Sequence, residues 1–131
     1  MSYNIDLYDR DFLRRSIAEQ SGDWTNADPL SKELIEAITE ACVDAGFKPE
    51  LHPPGFVEFL RHQGIMPSED FALQTPTMSA RMSIFPGSIS FVVQASPVTP
   101  ASIEYCSNIA RKLASDFNLG YYDGQSGEVI V

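Results

Sequence analysis

Residues 3–8, YNIDLY, alternate: Tyr3, Ile5 and Leu7 fall on one side of an extended chain, and Asn4, Asp6 and Tyr8 on the other. A period of two predicts a half-buried strand. DRDFLRRSIAEQ follows, with Phe12, Leu13 and Ile17 at helical spacing, and predicts a short helix. SGDWTNAD is a loop by composition, anchored by Trp24.

Two longer helices stand out by their caps. Asp28 suits an N-cap and Pro29 the first helical position, where a missing N–H costs nothing. Leu30, Leu34, Ile35, Ile38, Ala41, Cys42 and Ala45 then form one apolar stripe, and Gly46 suits the position after the C-cap. The second helix repeats the design. Thr99 is the cap, Pro100 comes first, and Ile103, Cys106, Ile109, Ala110, Leu113 and Phe117 make the stripe. Asn118 or Gly120 can stop it in a left-handed conformation. Leu34, Ile38, Ile109 and Leu113 sit mid-stripe and are expected to be nearly fully buried. Between the helices, residues 47–51 predict a short strand that Pro49 would confine to a sheet edge. PPGFVEFLRHQG reads as a turn and a half of helix carrying Phe56, Phe59 and Leu60, and IMPSED as a loop.

RMSIFPGSISFVV holds Pro86-Gly87 between two alternating runs and predicts a hairpin. With those two residues as the turn, Phe85 faces Ser88, Ile84 faces Ile89, Met82 faces Phe91 and Ala80 faces Val93. The apolar residues then share one face and Ser83 and Ser90 the other; a slip of one residue would mix them. Pro-Gly favours type II geometry while tight hairpins prefer primed turns, which leaves a wider turn or a bulge open. The ending LGYYD, GQSG, EVIV reads as strand, turn, strand. Tyr121 and Tyr122 point to opposite faces, one to the core and one to the surface. Gly124 and Gly127 are expected to supply positive φ, with Asp123 and Ser126 replaceable.

The order predicts one α+β domain, a two-layer sandwich with two long helices on one face of a mainly antiparallel sheet. A βαββαβ ferredoxin-like core with an insertion near 52–78 is the leading topology. The chain has 131 residues, enough for one sizeable core.

Charge narrows the partners. Nine basic residues against eighteen acidic give a net charge of −9. Such a chain repels nucleic acids and anionic membranes and attracts a basic protein. The start MSYNIDLYDRD lacks the apolar run of a signal peptide, and no apolar run approaches a membrane span. With two cysteines on helical stripes, the expectation is a cytoplasmic protein with reduced thiols.

Candidate chemistry is sparse. YYDGQSGEV lacks the helix that a phosphate loop or a nucleophile elbow needs after it. His52, His62, Cys42 and Cys106 have no metal-ligand spacing. Asp6, Asp9, Asp11, Asp23 and Asp28 do not match a calcium loop and read as a solvated face. No cofactor is called for. The residues suited to partner binding are Trp24, because Trp is enriched at interface hot spots, Asp9, Asp11 and Asp23 as an acidic docking patch, and Tyr122.

The opening MSYNIDLYDRDFL and the ending GYYDGQSGEV resemble those of small uncharacterised bacterial proteins. The resemblance implies a bacterial cytoplasmic origin and no activity. By analogy of size and charge, the expected function is a non-enzymatic, acidic protein-interaction domain, immunity- or inhibitor-like, that binds a basic partner. The alternative is a small-molecule-binding domain or small enzyme with a pocket near the 52–70 insertion, using His52, His62, Trp24 and Tyr122.

Overall fold

The computed structural model describes residues 2–19, 29–50, 53–64, 69–75, 78–94 and 100–131. The elements are β1 (Ser2–Asp9), α1 (Arg10–Ala18), α2 (Lys32–Asp44), β2 (Lys48–Pro49), α3 (Phe56–His62), β3 (Glu69–Thr75), β4 (Met78–Phe85), β5 (Ser88–Gln94), α4 (Pro100–Asp116), β6 (Leu119–Asp123) and β7 (Glu128–Ile130). The fold is α+β, with a seven-stranded antiparallel sheet in the order β2-β3-β4-β5-β1-β6-β7.

This sheet is larger than a ferredoxin-like one. Only β5–α4–β6 forms a split βαβ unit, straddling β1. The other side is a meander, and its β3 was not foreseen. IMPSED reads as loop, and Phe71 and Leu73 alone carry the alternation beyond it. Paired to β4, with Phe71 opposite Met82 and Leu73 opposite Ala80, those two residues are buried. The β4–β5 register is the one that apolar matching predicts, Ile84 opposite Ile89 and Met82 opposite Phe91. Edge strand β2 carries Pro49, as expected.

One face of the sheet holds the main core. Ile5, Leu7, Met82, Ile89, Phe91, Val93 and Tyr121 pack there with Ile38 and Cys42 of α2 and Cys106, Ala110 and Leu113 of α4. On the opposite face, α1 packs Phe12 and Leu13 against Tyr8 and Tyr122. The expected two layers thus gain a third over β1 and β6. Gly120, available as a helix stop, instead lies in β6 opposite Tyr8. A Cβ there would come within 2.6 Å of Leu13 Cδ2 and 3.0 Å of Leu13 Cβ, so glycine lets α1 approach. Asn118 (φ 56) provides the left-handed residue after α4.

Several helix details differ from expectation. α2 starts three residues late, with Ser31 as N-cap accepting from the Leu34 N–H at 3.1 Å. Leu30 is held off the helix because its N–H donates to the Pro86 carbonyl, 2.8 Å away. Gly46 (φ 108) does follow the C-cap Ala45. Ile38 and Leu113 are buried, but Leu34 and Ile109 are only partly so, because they flank the stripe's centre line. Ile17 faces solvent, and Ser16 takes the buried position of α1. Asp28 and Thr99, expected as caps, lie outside the described residues.

Leu113→Ala should therefore cost about 2–5 kcal/mol and Leu34→Ala clearly less, since a half-exposed site leaves a smaller cavity. Gly120→Ala should cost about 1–3 kcal/mol by overpacking against Leu13. Equilibrium urea unfolding reads all three, and equal losses for Leu34→Ala and Leu113→Ala would mean that the α2 face is misassigned.

Candidate functional site

Of the residues suited to partner binding, the described ones are Asp9, Asp11 and Tyr122, at the start of α1 and in the cluster beneath it. Asp9 caps α1, accepting from the Phe12 N–H at 3.0 Å, so its carboxylate is engaged locally. Asp11 is exposed and 3.5 Å from Arg14. Tyr122 is half-buried in the small cluster under α1. Asp23, Trp24 and His52 lie outside the described residues. His62 is exposed at the end of α3, a helix that buries none of its residues.

The thiols are placed for packing. Cys42 and Cys106 are 1% and 0% exposed. Burial pushes their pKa values up to about 12 and about 11, so neither is a thiolate at neutral pH. Among the described residues, no three of His, Cys, Asp and Glu are grouped to hold a metal ion. No helix among them is long and apolar enough to cross a membrane.

The C-terminal loop is a turn, as predicted, but for a different reason. Tyr121 pairs with Ile130 and Tyr122 with Val129 across it. Of its glycines, Gly127 (φ 80) has positive φ. Asp123, expected to be replaceable, organises the turn from a 3% exposed position. Its Oδ1 accepts the Gln125 and Ser126 N–H groups at 3.0 and 3.1 Å, and its Oδ2 accepts the Tyr3 hydroxyl. Gln125 Oε1 in turn accepts the Asn4 N–H at 2.6 Å. The loop thereby ties β1 to the β6–β7 hairpin. Beside it, Arg111 grips Glu128 with two bonds of 2.7 Å from one nitrogen and stacks over Tyr121. This network joins the hairpin to β1 and α4.

Two aspartates on neighbouring strands respond oppositely to their surroundings. Burial pushes Asp6 upward, opposed in part by a hydrogen bond from Ser90. Burial also pushes Asp123 upward, but bonds from Tyr3, Ser126 and Gln125 outweigh it and hold the carboxyl below its ordinary value.

An open groove of about 560 Å³ lies between α2 and the tip of the β4–β5 hairpin. Pro29, Leu30, Ile35 and Pro86 give it apolar walls, and Lys32, Glu36, Glu40 and Glu69 line it with charge. The Leu30–Pro86 bond ties the segment before α2 to the hairpin tip, and the Ser31 cap fixes where α2 begins. Thr39 spends its hydroxyl on the Ile35 carbonyl at 2.8 Å. Lys32, Glu36 and Glu40 form one i, i+4 row, with Lys32 4.0 Å from Glu36. Among the described residues, Glu40 and Glu69 have no cationic partner, so three carboxylates face one ammonium. Sequence reading missed this site because Glu69 comes from β3, the strand it did not anticipate. No family model, curated protein or solved structure matches the chain.

The two aspartates generate a contrast. Because the folded pKa of Asp123 is depressed, its contribution is present above the unfolded carboxylate range and is lost as pH falls through the folded value. Asp6 has a raised folded pKa, so its ionisation destabilises the fold above that value, and protonation relieves the penalty. Asp123→Asn should cost about 1–3 kcal/mol at neutral pH, the worth of bonds to a charged group, with the gap narrowing in acid. Asp6→Asn should leave the neutral-pH midpoint unchanged or raise it. Thermal melts of both variants across the acid range check the signs; equal effects of the two would overturn the assignment.

Proposed function

We propose that this chain is a non-enzymatic interaction domain that takes a basic, apolar-anchored segment of a partner protein into the groove between α2 and the β4–β5 hairpin. The observation that carries the reading is the pairing of apolar walls with an unbalanced acidic rim. Glu36, Glu40 and Glu69 stand beside Pro29, Leu30, Ile35 and Pro86, with Lys32 as the one opposing charge. An apolar side chain of the partner fills the cleft and supplies affinity, while its Lys or Arg groups meet the carboxylates and supply steering and register. The overall charge of −9 extends the attraction beyond the groove. By analogy of size and charge, the role is inhibitor- or immunity-like, with this surface neutralising a basic toxin or nuclease. The small-molecule alternative draws no support from the described part of the 52–70 segment, where α3 buries nothing and His62 faces solvent.

A synthetic peptide alternating lysine and leucine tests the reading by NMR titration, with a glutamine–leucine peptide as control. Expected are shifts at Leu30, Ile35, Thr39 and Glu69 with the basic peptide only, weakening with salt. Combined Glu36→Gln, Glu40→Gln and Glu69→Gln substitution should weaken binding at least about tenfold, or roughly 1.4 kcal/mol. Binding that is indifferent to that substitution, or that maps to the opposite face of the sheet, would sink the proposal.

A further inference from the structure

Along the groove, α2 carries a row of charges at one-turn intervals, Lys32, Glu36 and Glu40. Their order runs against the needs of the helix. Aligned peptide dipoles leave the start of a helix positive, so a cation there is disfavoured and an anion favoured. Lys32 is nevertheless the first residue of α2, which ends on Asp44 with no basic residue in its last turn. Glu33, in the same first turn, meets the helix's preference but does not line the groove. Local pairing compensates Lys32 little. It stands 4.0 Å from Glu36, with the two side chains 86% and 67% exposed. Such exposed pairs are weak, and an acid C-terminal to its lysine is the poorer orientation. Glu36 and Glu40 repel each other at the same spacing. Charges that oppose the stability of their own element mark a place where something outside the element sets the choice.

We propose that Lys32 is the specificity-determining residue of the groove, and that it selects a partner segment with one acidic residue at the end of its basic run. The inference rests on the groove as the partner's seat and states what that partner must present. An α-helix rises 1.5 Å per residue, so the charges of the row stand about 6 Å apart. Alternate residues of an extended segment stand roughly 6.6–6.8 Å apart. Acid, base and base at every second position of the partner therefore match Lys32, Glu36 and Glu40 in turn. The residues between them are free for apolar side chains against Pro29, Leu30 and Pro86. Glu69 of β3 adds to the attraction for the basic positions. An all-basic segment sets a cation against Lys32 and loses there part of what it gains at the carboxylates.

Three five-residue peptides test this by NMR titration, each with both termini blocked to remove their charges. All have leucine at the second and fourth positions. The first has lysine at the other three, the second has glutamate at one end, and the third has glutamate in the middle. Attraction to net charge alone ranks the all-lysine peptide first and the other two equal. Selection by Lys32 ranks the end-glutamate peptide first, at least about threefold tighter than either of the others. Lys32→Glu should put the all-lysine peptide first. That variant places an anion at the start of α2, where it suits the helix, so a folding defect does not confound the result. A ranking that follows net charge, or one that Lys32→Glu leaves unchanged, overturns this inference while the groove reading stands. Absence of shifts at Leu30 and Ile35 with every peptide removes the groove reading, and this inference with it.

Discussion

Side chains leave a pleated strand on alternate sides, and that alternation on β1 divides this molecule in two. Ile5 and Leu7 go to the main core, while Asp6 and Tyr8 go to the other face. Because β1 pairs with β5 on one side and β6 on the other, its parity is imposed on both neighbours. Phe91 and Tyr121 must join the core, and Ser90 and Tyr122 must oppose Asp6. The two helices that share the core and the one behind the sheet follow from this partition. Slippage of β1 by one residue would put an aspartate into the core and isoleucine outside it.

The face that carries α2 and α4 holds both a polar network that supports the fold and the acidic groove. Asp123 is ringed by donors that bind the ionised form, so it stabilises the turn and joins the two ends of the described chain. The groove has the opposite character. Its carboxylates are held apart on α2 and β3 and have few donors to satisfy them. Among the described residues, only Lys32 offsets the carboxylates that line this apolar cleft.

Most of the secondary structure was legible where apolar periodicity and capping agreed. The hairpin register was readable because only one alignment puts Met82, Ile84, Ile89 and Phe91 on one face. The start of α4 at Pro100 was readable from its first residue. The start of α2 was not, because Pro29 and Leu30 mimic a helix opening while Leu30 is engaged by Pro86, a partner over fifty positions away. β3 was hidden by its two apolar residues, which are too few to signal a strand until β4 covers them. The candidate site was less legible than the fold. Its carboxylates are separated by some thirty residues, and each alone resembles an ordinary solvated glutamate. The role of Asp123 was hidden for a related reason: the sequence displays its charge and conceals the backbone donors that engage it, as it conceals the cap that Asp9 makes.

The central place of β1 has a consequence for biosynthesis. It precedes the other described strands in the chain, yet its neighbours are residues 88–94 and 119–123. The meander β2–β5 can assemble from strands close in sequence, while β1 must wait, unpaired on both sides, for β5 and then for the β6–β7 hairpin. The sheet therefore closes by insertion of an early segment between later ones. Loop closure over such separations is slow. During that interval Ile5 and Leu7 are the apolar surface that a nascent-chain chaperone would have to cover.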